Sequence, residues 1–203
     1  MSFPCPQDVC IYDTDSPQVQ EQKYMEAINK HPERKDEYLL MLYFVYCEMK
    51  QREKAVACSE EALKITTNDA HRARAHYQLG NSYKYHDNYP LAIASYQRAL
   101  DILPNDVGLI MDIGECYFNS KDYLKALDTY KKILVTVDKN GKIAELDYYQ
   151  CAVSVYLAMK NEEQAIVCYE KMLAIEGNDP KLDTLRQLAA IHHQNCQYEK
   201  AKP

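Results

Sequence analysis

The sequence predicts an all-α chain, a solenoid of stacked helix–turn–helix units, and three observations carry that prediction. Identical residues recur at a spacing of 34: Gly80 and Gly114, Tyr83 and Tyr117, Tyr89 and Tyr123, Ala92 and Ala126, Tyr96 and Tyr130. Each such stretch reads as two amphipathic helices around a short turn. Between the stretches stand helix-starting residues, Ser16-Pro17, Asn105-Asp106 and Asn178-Asp179-Pro180, which place a side-chain cap ahead of a helix. A period of this length marks a repeat architecture: no single helix pair can bury its apolar face, and stacking several makes a continuous core.

The elements follow in chain order. Residues 1–16 form a non-repeating arm that carries Phe3, Val9, Ile11 and Tyr12. Over 17–35, Tyr24, Ala27, Ile28 and Pro32 fit the second helix of a degenerate unit. The stretch 36–69 supplies Leu39, Leu42, Tyr46, Ala55, Ala62 and Leu63, with about three extra residues before the next unit. The stretch 73–106 has Leu79, Gly80, Tyr83, Tyr89, Ala92, Tyr96, Ala99 and Pro104, with His76 at its first packing position. The stretch 107–140 repeats the pattern with Ile113, Gly114, Tyr117, Tyr123, Ala126 and Tyr130, and ends on Asp138 in place of proline. An insertion near Lys139-Asn140-Gly141-Lys142 precedes 146–179, which carries Tyr149, Ala152, Tyr156, Ala165, Tyr169 and Leu173. A partial unit, 180–201, has a first helix ending near Asn195, followed by Tyr198 and Ala201.

These residues at these spacings resemble the tetratricopeptide repeat family, and the resemblance covers roughly residues 17–201 as a single domain. It implies a right-handed superhelix of helix pairs that binds other proteins. In the family the first helix of each pair lines a concave groove that takes an extended or helical partner segment. By position, the groove would present Leu40, Met41, Phe44 and Cys47, then Arg74, Tyr77, Gln78, Asn81 and Lys84. Further along it would present Met111, Asp112, Glu115 and Phe118, then Asp147, Gln150, Cys151 and Ser154. The last helix would add Asp183, Arg186, Gln187, Ala190 and His193.

One departure from the family pattern is informative. Where glycine or alanine is usual, the first full unit has Tyr43, and its second helix has Ser59 where the others have Tyr96, Tyr130 and Tyr169. A large-for-small exchange of this kind conserves volume, so Tyr43 is expected to pack near Ser59.

Composition bounds the chemistry. The 203 residues carry a net charge of −6, which disfavours a nucleic-acid or anionic-membrane partner, because phosphates need a basic face. Tyrosine is abundant (18) and phenylalanine rare (3), which suits half-buried rings with wet hydroxyls. No apolar run is long enough to cross a bilayer, and the first residues lack the basic and apolar blocks of a secretory signal. The eight cysteines, Cys5, Cys10, Cys47, Cys58, Cys116, Cys151, Cys168 and Cys196, form no CxxC pair. They read as small hydrophobes in a reducing cytoplasm. His192, His193 and Cys196 are the nearest thing to a zinc cluster, but adjacent histidines diverge on a helix, so no metal is expected. No phosphate loop, HExxH or GxSxG motif is present, so neither a cofactor nor catalysis is expected.

The expected partner is a protein or peptide, apolar with basic residues. The acidic chaperone tail that some members of the family grip is disfavoured. Its clamp positions here hold Tyr77, Asn81, Asp112, Asp147 and Cys151, and two of these would repel a carboxylate. The N-terminal end of the groove reads as an apolar patch of Leu40, Met41 and Phe44, open either to a partner or to the chain's own arm. The final helix, with Leu182, Leu185, Leu188 and Ile191, has an apolar side with no following helix to cover it. That leaves room for self-association, or for a place within a longer repeat scaffold of a multisubunit assembly.

Overall fold

The computed structural model describes residues 15–136, 142–177, 184–191 and 193. The arm residues Phe3, Val9, Ile11 and Tyr12, the cysteines Cys5, Cys10 and Cys196, and Leu182, Asp183, His192, Tyr198 and Ala201 lie outside them. Internal contacts divide the chain into two units, Met1–Leu109 and Ile110–Pro203.

The first unit holds α1 (Pro17–Lys30), a 3-10 turn (Pro32–Arg34), α2 (Lys35–Glu48), α3 (Arg52–Ile65), α4 (Asp69–Tyr85), α5 (Tyr89–Ile102) and the first turn of α6 (Val107–Asn119). Ser16 caps α1 by accepting the Val19 N–H, and Pro17 occupies the first helical position, where a missing N–H costs nothing. Asp106 caps α6 through the Leu109 N–H at 3.0 Å. The three residues that separate the first two repeats lengthen α4, which runs 17 residues against 14 for α2, α3 and α5.

Helix α2 meets α1, α3 and α4, so eight of its 14 residues are buried, Tyr38 to Tyr43, Val45 and Tyr46. Tyr24 and Ala27 of α1 and Ala55, Cys58 and Ala62 of α3 complete this core. The small residues Ala55, Ala62, Ala92 and Ala99 are fully buried and let neighbouring backbones approach. Each fully buried large side chain contributes roughly 1.5–3 kcal/mol.

The second unit holds the rest of α6, then α7 (Tyr123–Thr136), α8 (Lys142–Ala158), α9 (Glu162–Glu176) and a helical stretch over 184–191. Its core gathers Ile113, Cys116, Ala126, Tyr130 and Ile133, with Ala152, Val155, Ala165 and Cys168 around α8 and α9. A Cβ on Gly114 would strike the ring of Tyr130, which explains a helical glycine that propensity alone disfavours.

The turn inside each helix pair has one geometry throughout. Its middle residue takes a positive φ: Lys50 at 60°, Asp87 at 56°, Lys121 at 64° and Lys160 at 57°. The next residue returns its N–H to a tyrosine carbonyl: Gln51 to Tyr46, Asn88 to Tyr83, Asp122 to Tyr117 and Asn161 to Tyr156, at 2.8–2.9 Å. This left-handed residue with its reaching-back bond terminates the first helix and aims the second. Asn88, Asp122 and Asn161 then cap the second helix with their side chains. Gln51 does not, and its Oε1 is buried without a hydrogen-bond partner.

Tyr43 is buried, and its hydroxyl donates to the Gln78 carbonyl at 2.9 Å and lies 3.2 Å from the Ser82 hydroxyl. Ser59 Oγ donates to Gln78 Oε1 at 2.8 Å, and Gln78 Nε2 donates to the Leu40 carbonyl at 2.7 Å. The large-for-small exchange therefore involves three residues rather than two: the Gln78 side chain reaches from α4 to both α2 and α3.

Candidate partner-binding face

In the first unit the candidate face is carried by α2 and α4, which pack on one another. Only part of the sequence expectation is reachable from solvent. Phe44 is 47% exposed, and Tyr77, Asn81, Lys84 and Cys47 are half-buried. Leu40, Met41, Arg74 and Gln78, expected on the surface of a groove, are instead buried. The apolar patch of Leu40, Met41 and Phe44 is thus reduced to Phe44, because α2 is enclosed on three sides by other helices.

The buried residues fix the exposed ones. Arg74 sends Nη2 to Met41 Sδ at 3.4 Å, and its guanidinium carbon lies 5.4 Å from the centre of the Phe44 ring. Burial pulls the Arg74 pKa below its ordinary value, yet a guanidinium starts so high that it stays charged. Tyr43 meets Phe44 edge-on at 5.3 Å. Phe44 is therefore an exposed ring held between a cation and a second ring, the arrangement of an anchor residue with little rotamer freedom to lose. Asn81 Oδ1 accepts from the Tyr96 hydroxyl at 2.6 Å, Lys84 Nζ lies 5.8 Å from that ring, and Tyr77 and Tyr96 sit 5.9 Å apart.

In the second unit Met111, Asp112 and Phe118 are half-buried and Glu115 is exposed. Phe118 and Tyr123 lie 5.7 Å apart. Asp147 and Cys151 are half-buried, whereas Gln150 and Ser154 are exposed. Gln150, Ser154 and Leu157 of α8, Tyr169 and Met172 of α9, and Thr184 and Gln187 line a cavity of about 690 Å³. Arg186, Gln187, Ala190 and His193 are exposed, as is Leu185, while Ile191 is buried.

Four of the described thiols are poor nucleophiles. Burial raises Cys58 to about 12 and Cys151 to about 11, and raises Cys47 and Cys168 as well. Among the described residues no group of three His, Cys, Asp or Glu side chains is placed to hold a metal ion, and no helix is long and apolar enough to cross a membrane.

Sequence reasoning missed the inward turn of Arg74 and Gln78. Both stand at positions that face a groove by helical period, and nothing in a period tells which polar side chain finds a buried partner.

Models of the tetratricopeptide repeat match residues 39–105 and 146–179. Anaphase-promoting complex subunit 3 of Schizosaccharomyces pombe is 28% identical over 133 residues. The match takes in 66% of this chain but only 19% of that protein's length. Among solved structures, MamA superposes with a TM-score of 0.64 at 21% identity, over 79% of this chain and 88% of its own. BtubC (BKLC) from P. vanneervenii gives 0.68 at 16% identity, over 92% and 84%. The apo form of RapI gives 0.66 at 21% identity, over 80% and 65%. At these identities the structural likenesses establish the fold.

Proposed function

Because the chain is a tetratricopeptide-repeat protein, a member of a family of generally non-catalytic interaction scaffolds, we propose that it is an adaptor that takes a peptide or helical segment of a partner on the first helices of its repeats. The observation that carries this reading is Phe44, an exposed ring held by Arg74 and Tyr43. Tyr77, Asn81 and Lys84 extend the contact in the first unit. Met111, Asp112, Glu115, Phe118, Asp147, Gln150 and Cys151 serve in the second. Leu40, Met41, Arg74 and Gln78 act from beneath as supports. The carboxylates of the second unit favour a partner that is apolar with basic residues, and the cysteine usage favours the cytoplasm.

Capture of partners from host extract on immobilised wild-type, Phe44→Ala and Asp112→Lys chains, quantified by mass spectrometry, tests it. A protein enriched by the wild type and lost with either variant, at unchanged helicity, is the expected result. The same partner set on all three chains rejects this face.

A second reading is a stretch of structural scaffold in a multisubunit assembly, and the likeness to an anaphase-promoting complex subunit favours it. On that reading the native protein sediments with a large complex that resists salt. The adaptor reading gives a smaller species whose partner is washed off.

A further inference from the structure

The turn between α2 and α3 borders a cavity of about 720 Å³ that shares no lining residue with the candidate face. Its wall carries Lys50, Arg52 and Lys54 against a single carboxylate, Glu53, with His86 beside them. This is a reversal of sign in a chain whose net charge is −6. The volume is that of a site for several side chains rather than for one ion.

The cations are disposed to receive an anion. Lys50 sits at the left-handed position of the turn, is exposed, and makes no ion pair with a described residue. The Arg52 guanidinium lies over the ring of Tyr85, which is itself 65% exposed. A guanidinium held over an aromatic face keeps its N–H edge outward, where it matches a carboxylate with two parallel hydrogen bonds. Lys54, two residues beyond Arg52 in the first turn of α3, is held only loosely: Glu21 is 3.9 Å away and the Tyr46 ring 5.2 Å. The equivalent turn of the next pair shows the contrast, since there Asp87 takes the place of Lys50 and accepts from the Tyr89 hydroxyl at 2.6 Å.

We propose that this cavity is a docking site for an acidic segment of a partner protein, with Arg52 pairing one carboxylate and Lys50 and Lys54 receiving its neighbours. Its lining includes none of the residues of the Phe44 face, so one partner can engage both or two partners can engage one each.

The test is fluorescence anisotropy on the full chain with a labelled peptide of Asp and Glu residues spaced by Ser, beside its Asn and Gln counterpart. The acidic peptide is expected to bind saturably and to weaken as ionic strength rises. Lys50→Glu/Lys54→Glu should weaken it by about tenfold or more. Lys50→Ala, which alters one exposed turn side chain, should weaken it several-fold without affecting helicity. Phe44→Ala should leave it unchanged. The proposal is overturned if the wild type gives no saturable binding, if the amide peptide binds equally, or if both lysine variants bind like the wild type. Displacement by an oligouridylate at equal affinity overturns it as well, by marking a non-specific polyanion surface.

Discussion

In α4–α5 the ring of Tyr96 lies across Gly80, so close that a Cβ there would stand 2.5 Å from its Cδ1 and Cε1 atoms. In α2–α3 the corresponding places hold Tyr43 and Ser59, and the gap is bridged by the Gln78 side chain from the next pair. The first arrangement is closed by dispersion between a ring and a bare backbone. The second is closed by three buried hydrogen bonds, which require all their members at once. One repeat pattern therefore supports two kinds of core, and the polar kind ties α2, α3 and α4 together beneath the face that carries Phe44.

The largest effect is expected from removing the ring. Tyr43→Ala empties a buried aromatic site and should cost about 3–5 kcal/mol in chemical denaturation. Tyr43→Phe keeps the ring, loses the bonds to Gln78 and Ser82, and should cost about 1–2 kcal/mol. Gly80→Ala comes next. Tyr96 is fully buried and tied to Asn81, so its ring has little room to move. Overpacking should cost near the top of the ~1–3 kcal/mol range, less ~1 kcal/mol returned by alanine's helix propensity.

A smaller effect tests the contact between successive pairs where the starts of α2 and α4 meet. Asp36 Oδ2 lies 2.8 Å from His71 Nδ1. Burial pushes the Asp36 carboxyl up, but hydrogen bonds from Thr66 and His71 outweigh it and leave the pKa below the ordinary carboxylate value. A carboxyl lowered on folding stabilises the fold above its unfolded pKa, and that stability fades as pH falls through the folded value. Asp36→Asn should therefore melt below wild type at neutral pH, and the difference should shrink on acidification. A difference independent of pH would contradict the assignment.

The smallest effect is a gain. Gln51 stands where Asn88, Asp122 and Asn161 cap their helices, yet it caps nothing. Gln51→Asn should supply the bond to the Lys54 N–H and raise stability by about 1 kcal/mol, read as a higher denaturation midpoint.

Much of the fold was legible in the residues. The glycines and tyrosines 34 apart mark the helix pairs, and Ser16-Pro17 and Asn105-Asp106 mark two helix starts, because capping and ring-on-glycine packing are local and leave fixed letters. The candidate face was less legible. Helical period places Leu40, Met41, Arg74 and Gln78 beside Phe44, but how many neighbours enclose a helix is a tertiary property. The enclosure of α2 by α1, α3 and α4 turns four of these side chains inward. The exchange at Tyr43 and Ser59 was visible as a mismatch of volumes. The glutamine that completes it was not, since a polar residue on a groove-facing stripe reads as solvated until its partners are seen.

The most direct test of this contrast is a double-mutant cycle in α2–α3 by urea denaturation, with Gln78→Met, Ser59→Ala and the pair together. Gln78→Met keeps the volume and removes the bridge, so it should cost about 1–3 kcal/mol by leaving the Ser59 hydroxyl buried and unpaired. With Ser59→Ala already in place much of that loss should vanish, giving a coupling of about 1 kcal/mol or more. Additive losses, or a Gln78→Met chain as stable as wild type, would contradict the claim that this pair is closed by a polar bridge.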